Sequence, residues 1–348
     1  MSRNSTQSFL NVDMYDAGIR VYICILFLLG FTINIFGIVR LIGIGRRIRG
    51  GWSSAAMYQI SIGACNVCAS FVLISSPLED VNFFSFLRQR WSCKILSFLG
   101  YFGTSLLPWL IVELTVERTI AVQFPFLKLT ILTPFATTIA ISITTGILAT
   151  YNSWTLIASD SYSSRNSSWC GTPEHHQWSI YIFHVTNTVI VFTAPFLIIT
   201  CLNVWIAHSL IGRKCRTKSS TSDYAGTGGE STRVSFKSNN ARERRRNRSA
   251  LKLIIVSFVY LLMNMPMYVS RLIGFFKSDD NMSFPTALLL QLSHLVYATQ
   301  FSVNFLAYST ITMRHLKETA REFLRNVSDK CITPRKQNAQ EDSEPEDR

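Results

Sequence analysis

The chain has 348 residues, of which 48% are hydrophobic and only 16% charged, against about 25% charged residues in an ordinary soluble domain. This composition argues against a soluble protein. The formal net charge of +13 could suit a nucleic-acid-binding protein, but basic clusters such as Arg242 to Arg248 lie beside apolar stretches, where they more often attract anionic lipid. We therefore expect a lipid bilayer, and no nucleic acid, as a partner.

Seven apolar runs alternate with short polar segments, and we call them spans one to seven. Each is long enough for a helix to cross a hydrocarbon core of about 30 Å, and lipid favours helices because it offers the backbone no hydrogen-bond partner. Core helices of a large soluble protein are the alternative. The predicted spans are 19–43, 54–78, 91–122, 134–156, 179–210, 250–275 and 286–310. The predicted fold is an all-α membrane protein, a seven-transmembrane helix bundle.

The positive-inside rule gives the orientation of this bundle. The fifth connection, 213–248, carries eleven basic and three acidic residues, whereas the loops on the other side are nearly neutral. We therefore expect residues 1–18 to form an extracellular N-terminus, without a cleavable signal peptide, and the C-terminus to be cytoplasmic. The bundle then covers 19–310, and 213–248 is a basic loop that is partly disordered because 216–241 is rich in Ser, Thr, Gly and Asn.

Span three has a cysteine at one end and an arginine at the other. Cys93 and Arg118 are 25 residues apart, which is roughly 37 Å on one helix at 1.5 Å per residue. They are expected to face opposite sides of the membrane.

The eight cysteines separate by topology. Those inside spans are expected to pack as small apolar side chains, and the Cys65-x-x-Cys68 pair lies mid-membrane, which argues against a metal or redox site. Cytoplasmic cysteines stay reduced. Cys93 and Cys170 remain as the extracellular pair, and we expect a disulfide between them; the alternative is two free thiols.

An amphipathic segment follows span seven. Residues 311–325 place apolar side chains on one side of a helical wheel and basic ones on the other, as in a helix lying in the membrane interface. This predicts a short eighth helix, followed by a disordered cytoplasmic tail at 326–348. Cys331 is a palmitoylation candidate or a plain tail cysteine.

Several residues, in order and spacing, carry a family resemblance. They are Gly30 with Asn34, Trp91-x-Cys93, Glu117-Arg118-Thr119, Pro125, Pro195, Pro266 and Asn304-Phe-Leu-Ala-Tyr308. This set resembles the rhodopsin-like (class A) G-protein-coupled receptors, over residues 19 to about 325.

The resemblance implies a plasma-membrane receptor that binds an extracellular ligand and activates heterotrimeric G-proteins, with no enzyme activity, cofactor or metal. It implies that Glu117 holds Arg118 at rest; an arginine that reaches to lipid headgroups is the alternative. The coupling and switch residues implied are Glu117, Arg118, Thr119, Tyr260, Pro266, Asn304 and Tyr308.

The departures from the family pattern are also informative. Asn66 replaces an aspartate, which disfavours a bound sodium ion, Asn264 replaces a tryptophan, and Phe305 replaces a proline. The chain is therefore a divergent member, and it resembles invertebrate neuropeptide receptors of the FMRFamide-receptor-like kind. A pseudo-receptor that no longer signals remains an alternative.

Two positions in the sequence disfavour amines and retinal as ligands. Gly100 stands where amine receptors carry an aspartate, and Ala298 stands where opsins carry a lysine. Aromatic rings and one cation suit a peptide ligand instead. The alternatives are that Arg271 anchors a helix end and that His294 only packs. The pocket candidates are Tyr101, Thr104, Tyr268, Arg271, Gln291, His294 and Tyr297. Glu113 inside span three is a functional candidate or a plain interhelical hydrogen-bond partner.

Other function classes lack support in the sequence. A transporter would show repeated halves or paired intramembrane charges, and His175-His176 beside Glu174 is expected to be a solvated surface instead of a metal site. Asn4, Asn166 and Asn281 lie in glycosylation sequons on the predicted outer side, whereas Asn247 and Asn326 lie in sequons on the inner side.

Overall fold

The structure, a computed structural model, describes residues 2–47, 52–79, 89–124, 132–163, 168–173, 177–223, 254–255, 257–270, 273 and 288–302. Spans one to three form α1 (Ser2–Arg47), α2 (Ser54–Glu79) and α3 (Arg90–Gln123). Span four forms α4 (Pro134–Asn152) and α5 (Trp154–Ala158), and span five forms α6 (Gln177–Thr188), a π-helical turn (Val189–Thr193) and α7 (Ala194–Asp223). We name the helical residues 257–270 of span six α8 and the helical residues 288–302 of span seven α9.

The outer surface of the bundle is apolar. Five helical segments in the described part of the chain are long and apolar enough to cross a membrane. On α4, Phe135, Ile139, Ile143 and Ile147 are exposed at four-residue intervals, so they form one continuous apolar ridge. Such a ridge is stable against lipid but costly against water. The predicted class, a membrane-spanning helix bundle, is confirmed.

Helix α3 lies at the centre of the bundle. Leu110 and Ile111 on α3 are completely buried, and they pack in one core with Ile62 of α2, Ile199 of α7 and Phe301 of α9. Side chains on α3 therefore have neighbours from most of the other helices, which places its polar residues between helices and away from lipid.

Some helix ends differ from the prediction. Helices α2 and α3 match spans two and three to within one residue at each end, but α1 begins at Ser2 and α7 continues to Asp223. The start of the loop predicted to be disordered is thus helical. Lys and Arg are good helix formers, and a helix that already exists extends at little cost once it leaves the membrane. The predicted eighth helix, the tail and Cys331 lie outside the described residues.

Candidate functional site

A short hairpin lies at the Cys93 end of the bundle. Strand β1 (Asp160–Ser163) pairs antiparallel with β2 (Ser168–Gly171), with Ser161 opposite Cys170. Cys170 forms a disulfide with Cys93, and their Cα atoms are 5.6 Å apart. The predicted disulfide is therefore present, and it ties the hairpin to the start of α3.

Two polar contacts add to this tie. Arg90 of α3 forms an ion pair of 2.9 Å with Asp160, and Lys94 Nζ donates a 2.8 Å hydrogen bond to the Leu156 carbonyl. Desolvation raises the pKa of the Asp160 carboxyl, but the Ser161 backbone N–H and Arg90 outweigh it and hold that pKa below its ordinary value. Asp160 thus stays ionised at neutral pH. The disulfide and the ion pair fix the hairpin to α3 at two points, and the Lys94 bond fixes the preceding helix α5 to α3.

A small cavity lies between four of the membrane spans. Its lining comes from α3, from the π-helical turn, from α8 and from α9. The lining residues are Thr104, Leu107 and Pro108; Val191 and Phe192; Tyr260, Asn264, Met267 and Tyr268; Tyr297 and Gln300. All of these described lining residues are uncharged, so the cavity suits an uncharged group.

The predicted pocket residues fall into two groups. Thr104, Tyr268 and Tyr297 line the cavity. Tyr101 instead packs on the rings of Phe183 and His184. The other positions also lie apart from the described lining: Gln291 is half-buried, His294 is exposed with its ring 6.3 Å from that of Tyr297, and Arg271 is outside the described residues.

One wall of the cavity joins α8 to the π-helical turn. The rings of Tyr268 and Phe192 stack with centroids 4.1 Å apart, and the Tyr268 hydroxyl lies 3.3 Å from that of Thr193. A ligand that moves Tyr268 therefore disturbs spans five and six together.

Pro195 and Trp109 account for the π-helical turn. The Ala194 N–H bonds to the Val189 carbonyl, five residues back, so the next residue in this pattern would donate to Ile190. That residue is Pro195, which has no N–H. The Trp109 indole Nε1 of α3 donates to the Ile190 carbonyl instead, at 3.1 Å. The turn is thus stabilised by a side chain from another helix, since lipid offers no substitute.

We expect the Trp109→Phe variant to lower the free energy of unfolding by about 1–3 kcal/mol, the usual cost of an unsatisfied buried polar group. The measurement is the thermal midpoint of the purified protein. Trp178→Phe is the matched control, because Trp178 is 73% exposed, and it should leave the midpoint unchanged. Equal midpoints for both variants would show that the indole bond does not stabilise the turn.

A pair of side-chain amides connects spans six and seven at the cavity. Asn264 Nδ2 donates to the Tyr260 carbonyl at 2.7 Å and to Gln300 Oε1 at 2.5 Å. Both amides line the cavity, and both are buried. Asn264 also lies two residues before Pro266, whose missing N–H weakens the helix at that point.

A second amide cluster joins α1, α2 and α9. Asn66 Nδ2 donates to Asn34 Oδ1 at 3.1 Å, and Asn34 Nδ2 donates to the carbonyls of Gly30 and Phe301. Asn66 stands at the position where the rhodopsin-like receptors usually carry an aspartate. Asn66 acts there as a neutral donor between helices.

Glu113 connects three helices. Its carboxyl accepts a hydrogen bond from Thr144 of α4, and it also hydrogen-bonds with Tyr58 of α2. The structure thus agrees with the alternative of an interhelical hydrogen-bond partner.

Three of the predicted switch residues, Glu117, Arg118 and Thr119, lie at the end of α3 opposite to Cys93. Glu117 and Thr119 are buried, and Thr119 donates to the Thr115 carbonyl at 2.8 Å. Arg118 is half-buried, and its Nε has no hydrogen-bond partner in the part of the chain that the structure describes. Resting contact between Glu117 and Arg118 therefore stays a prediction. Asn304 and Tyr308 lie outside the described residues, and Tyr260 and Pro266 lie on α8.

Sequence reasoning missed several polar residues at helix contacts. Ser105 of α3 lies 3.4 Å from Asn152 of α4 and 3.5 Å from Asn187 of α6, measured from Ser105 Oγ to each Oδ1. All three are buried. An asparagine within an apolar run is a usable signal, because it needs a partner in lipid. Asn264 gives this signal in span six and Gln300 gives a similar one in span seven, whereas nothing in the sequence points to Trp109.

The sequence of this chain is similar to that of one known protein family. The family described as "7 transmembrane receptor (rhodopsin family)" matches residues 46–308, most of the chain. No curated protein matches the chain significantly. Among the described residues, no group of three or more His, Cys, Asp or Glu side chains could hold a metal ion.

Proposed function

Because the chain belongs to the rhodopsin family of seven-transmembrane receptors, it is a G-protein-coupled receptor and not an enzyme, and we propose that its extracellular ligand is a peptide. Membership of the family implies a plasma-membrane protein that couples to heterotrimeric G-proteins. The peptide, and the finer assignment to neuropeptides, are our proposal.

The observation that carries this proposal is the chemistry of the cavity. Its described lining is uncharged, and three of the lining residues, Tyr260, Tyr268 and Tyr297, are tyrosines. A ligand amine would find no carboxylate there to replace its hydration. A peptide end instead supplies apolar and aromatic side chains together with neutral hydrogen-bonding groups.

The hairpin supports a peptide as well. The disulfide and the Arg90–Asp160 ion pair hold the hairpin in place at the end of the bundle where we place the ligand, and the Lys94 bond holds α5 beside it. A rigid rim lowers the entropic cost of binding a flexible ligand. Asn264 and Phe305 further support neuropeptide reception, because at these two positions the chain resembles the invertebrate FMRFamide-receptor-like receptors.

The test is a screen in cells that express the chain with promiscuous G-proteins. Short amidated neuropeptides and biogenic amines are applied in parallel, and a peptide response with no amine response is the expected result. A peptide hit is then repeated on Tyr268→Ala, which alters the cavity wall, and on Trp178→Ala, which lies on the exposed surface. The response should weaken only in Tyr268→Ala. An amine hit would reject the peptide ligand.

We further propose that the N-terminus and the hairpin lie outside the cell and that the C-terminus lies inside. Asn4, Asn166 and Asn281 should then carry N-linked glycan, because only outer sequons reach the glycosylation machinery. Asn247 and Asn326 should stay unmodified. Peptide mapping before and after deglycosylation measures this for each site, and glycan on Asn247 or Asn326 would reverse the orientation.

A further inference from the structure

The orientation of the Asn264 and Gln300 amides is set by their surroundings. The Tyr260 carbonyl can only accept a hydrogen bond, so the Asn264 atom that contacts it, at 2.7 Å, is the donor Nδ2. The Gln300 atom that contacts the same Nδ2 must then be the acceptor Oε1.

Each amide therefore has one group left over. Asn264 Oδ1 is an acceptor and Gln300 Nε2 is a donor, and neither has a hydrogen-bond partner among the described residues. Both residues line the cavity. The cavity thus offers one unused acceptor and one unused donor on neighbouring spans.

We propose that the Asn264–Gln300 pair recognises a primary carboxamide of the ligand. A carboxamide carries an N–H donor and a C=O acceptor on adjacent atoms, which complements Asn264 Oδ1 and Gln300 Nε2. The end of an amidated peptide has this chemistry, and so does an Asn or Gln side chain. This inference rests on the proposed peptide ligand and names the group by which the cavity selects it.

The alternatives to a carboxamide fit the site less well. A carboxylate would bring two acceptors and a negative charge, so one acceptor would face Asn264 Oδ1, and the described lining contains no cation to offset the charge. An ammonium group could satisfy Asn264 Oδ1 but not Gln300 Nε2, and no described lining residue is a carboxylate. Sites built to hydrogen-bond a specific group reject analogues because their own polar groups are left unpaired.

Binding would also connect spans six and seven. The bond from Asn264 Nδ2 to Gln300 Oε1 holds the two amides together beside the Pro266 bend, and a carboxamide that bonds to Asn264 Oδ1 and Gln300 Nε2 uses the two groups that this bond leaves over. A ligand of this class therefore contacts α8 and α9 at the same point.

The test uses three small probes of similar size: propionamide, propionate and propylamine. Their binding to the purified full chain in lipid nanodiscs is measured by saturation-transfer NMR. Propionamide should bind, and the two charged probes should bind at least about tenfold more weakly, as expected for a buried hydrogen bond left unmade. Equal binding of either charged probe, or no binding of propionamide, would overturn the proposal, and this comparison needs no variant.

Variants then assign the effect to the amide pair. Gln300→Leu should remove the preference for propionamide, and Gln300→Glu is a second variant of nearly unchanged volume that removes the same donor. Ser293→Ala is the matched control, because Ser293 lies on the same helix α9 outside the cavity lining and its hydroxyl bonds to the Leu289 carbonyl, and it should keep the preference. Persistence of the preference in both Gln300 variants would place the recognition elsewhere.

Peptides separate this inference from the proposed function. Each active peptide is compared in its amidated and free-acid forms, and the amidated form should be at least about tenfold more potent. Equal potency would overturn the carboxamide site while leaving peptide reception intact. If no peptide acts but propionamide binds as described, the peptide ligand is wrong and the carboxamide site stands.

Discussion

The Arg118→Ala variant is expected to lose ligand-stimulated nucleotide exchange by at least about tenfold, while its surface expression and ligand binding stay near those of the parent. Arg118 lies on α3 at the end opposite to Cys93, and the cavity residue Thr104 lies on α3 between them. Loss of the Arg118 charge should therefore impair coupling to the G-protein and leave the ligand cavity unchanged. Sites coupled through a movable bundle can be separated by mutation in this way.

Two further variants make this test specific. Arg90→Ala removes the same charge at the other end of α3, where Arg90 contacts Asp160, and it should leave exchange largely intact. Glu117→Gln removes the partner proposed to hold Arg118 at rest and should raise basal exchange. If Arg118→Ala and Glu117→Gln both signal like the parent, this pair of residues is not the switch.

The Gly30→Leu variant is expected to fail to reach the cell surface. A Cβ atom on Gly30 would lie 2.7 Å from Ser302 Oγ and 3.0 Å from Ser70 Oγ. These hydroxyls bond to the Leu26 and Asn66 carbonyls, so they cannot move aside without losing a bond in lipid. A leucine in this contact should lower the free energy of unfolding by about 3 kcal/mol or more.

Gly43→Leu is the matched control on the same helix. A Cβ atom there meets no heavy atom within 4 Å among its described surroundings, so the variant should be expressed like the parent. Surface antibody labelling and the thermal midpoint of the purified receptor measure both variants. Normal expression of Gly30→Leu would show that α1 can shift away from α2 and α9.

Local signals explain what could be predicted from the sequence. Spans two and three were placed to within one residue, because the length of an apolar run is set by the thickness of the bilayer. The Cys93–Cys170 disulfide followed from the predicted topology, which places the other cysteines inside spans or on the cytoplasmic side.

The details of the site depend on how the helices are rotated against each other. Thr104, Tyr268 and Tyr297 reach the cavity, but Tyr101, three residues before Thr104, faces Phe183 instead. A difference of three residues turns a side chain by about 60° around the helix, and the sequence alone does not fix that angle. The bond between Asn264 and Gln300 likewise requires two helices in one register.

The central claim is that this divergent chain still activates G-proteins in response to an extracellular ligand. Its most direct test is nucleotide exchange on purified G-proteins by the full chain in lipid nanodiscs, with and without a peptide identified in the screen. We expect the peptide to accelerate exchange by the parent and not by Arg118→Ala. A parent that binds the peptide but accelerates exchange on no G-protein would contradict the account and identify the chain as a pseudo-receptor.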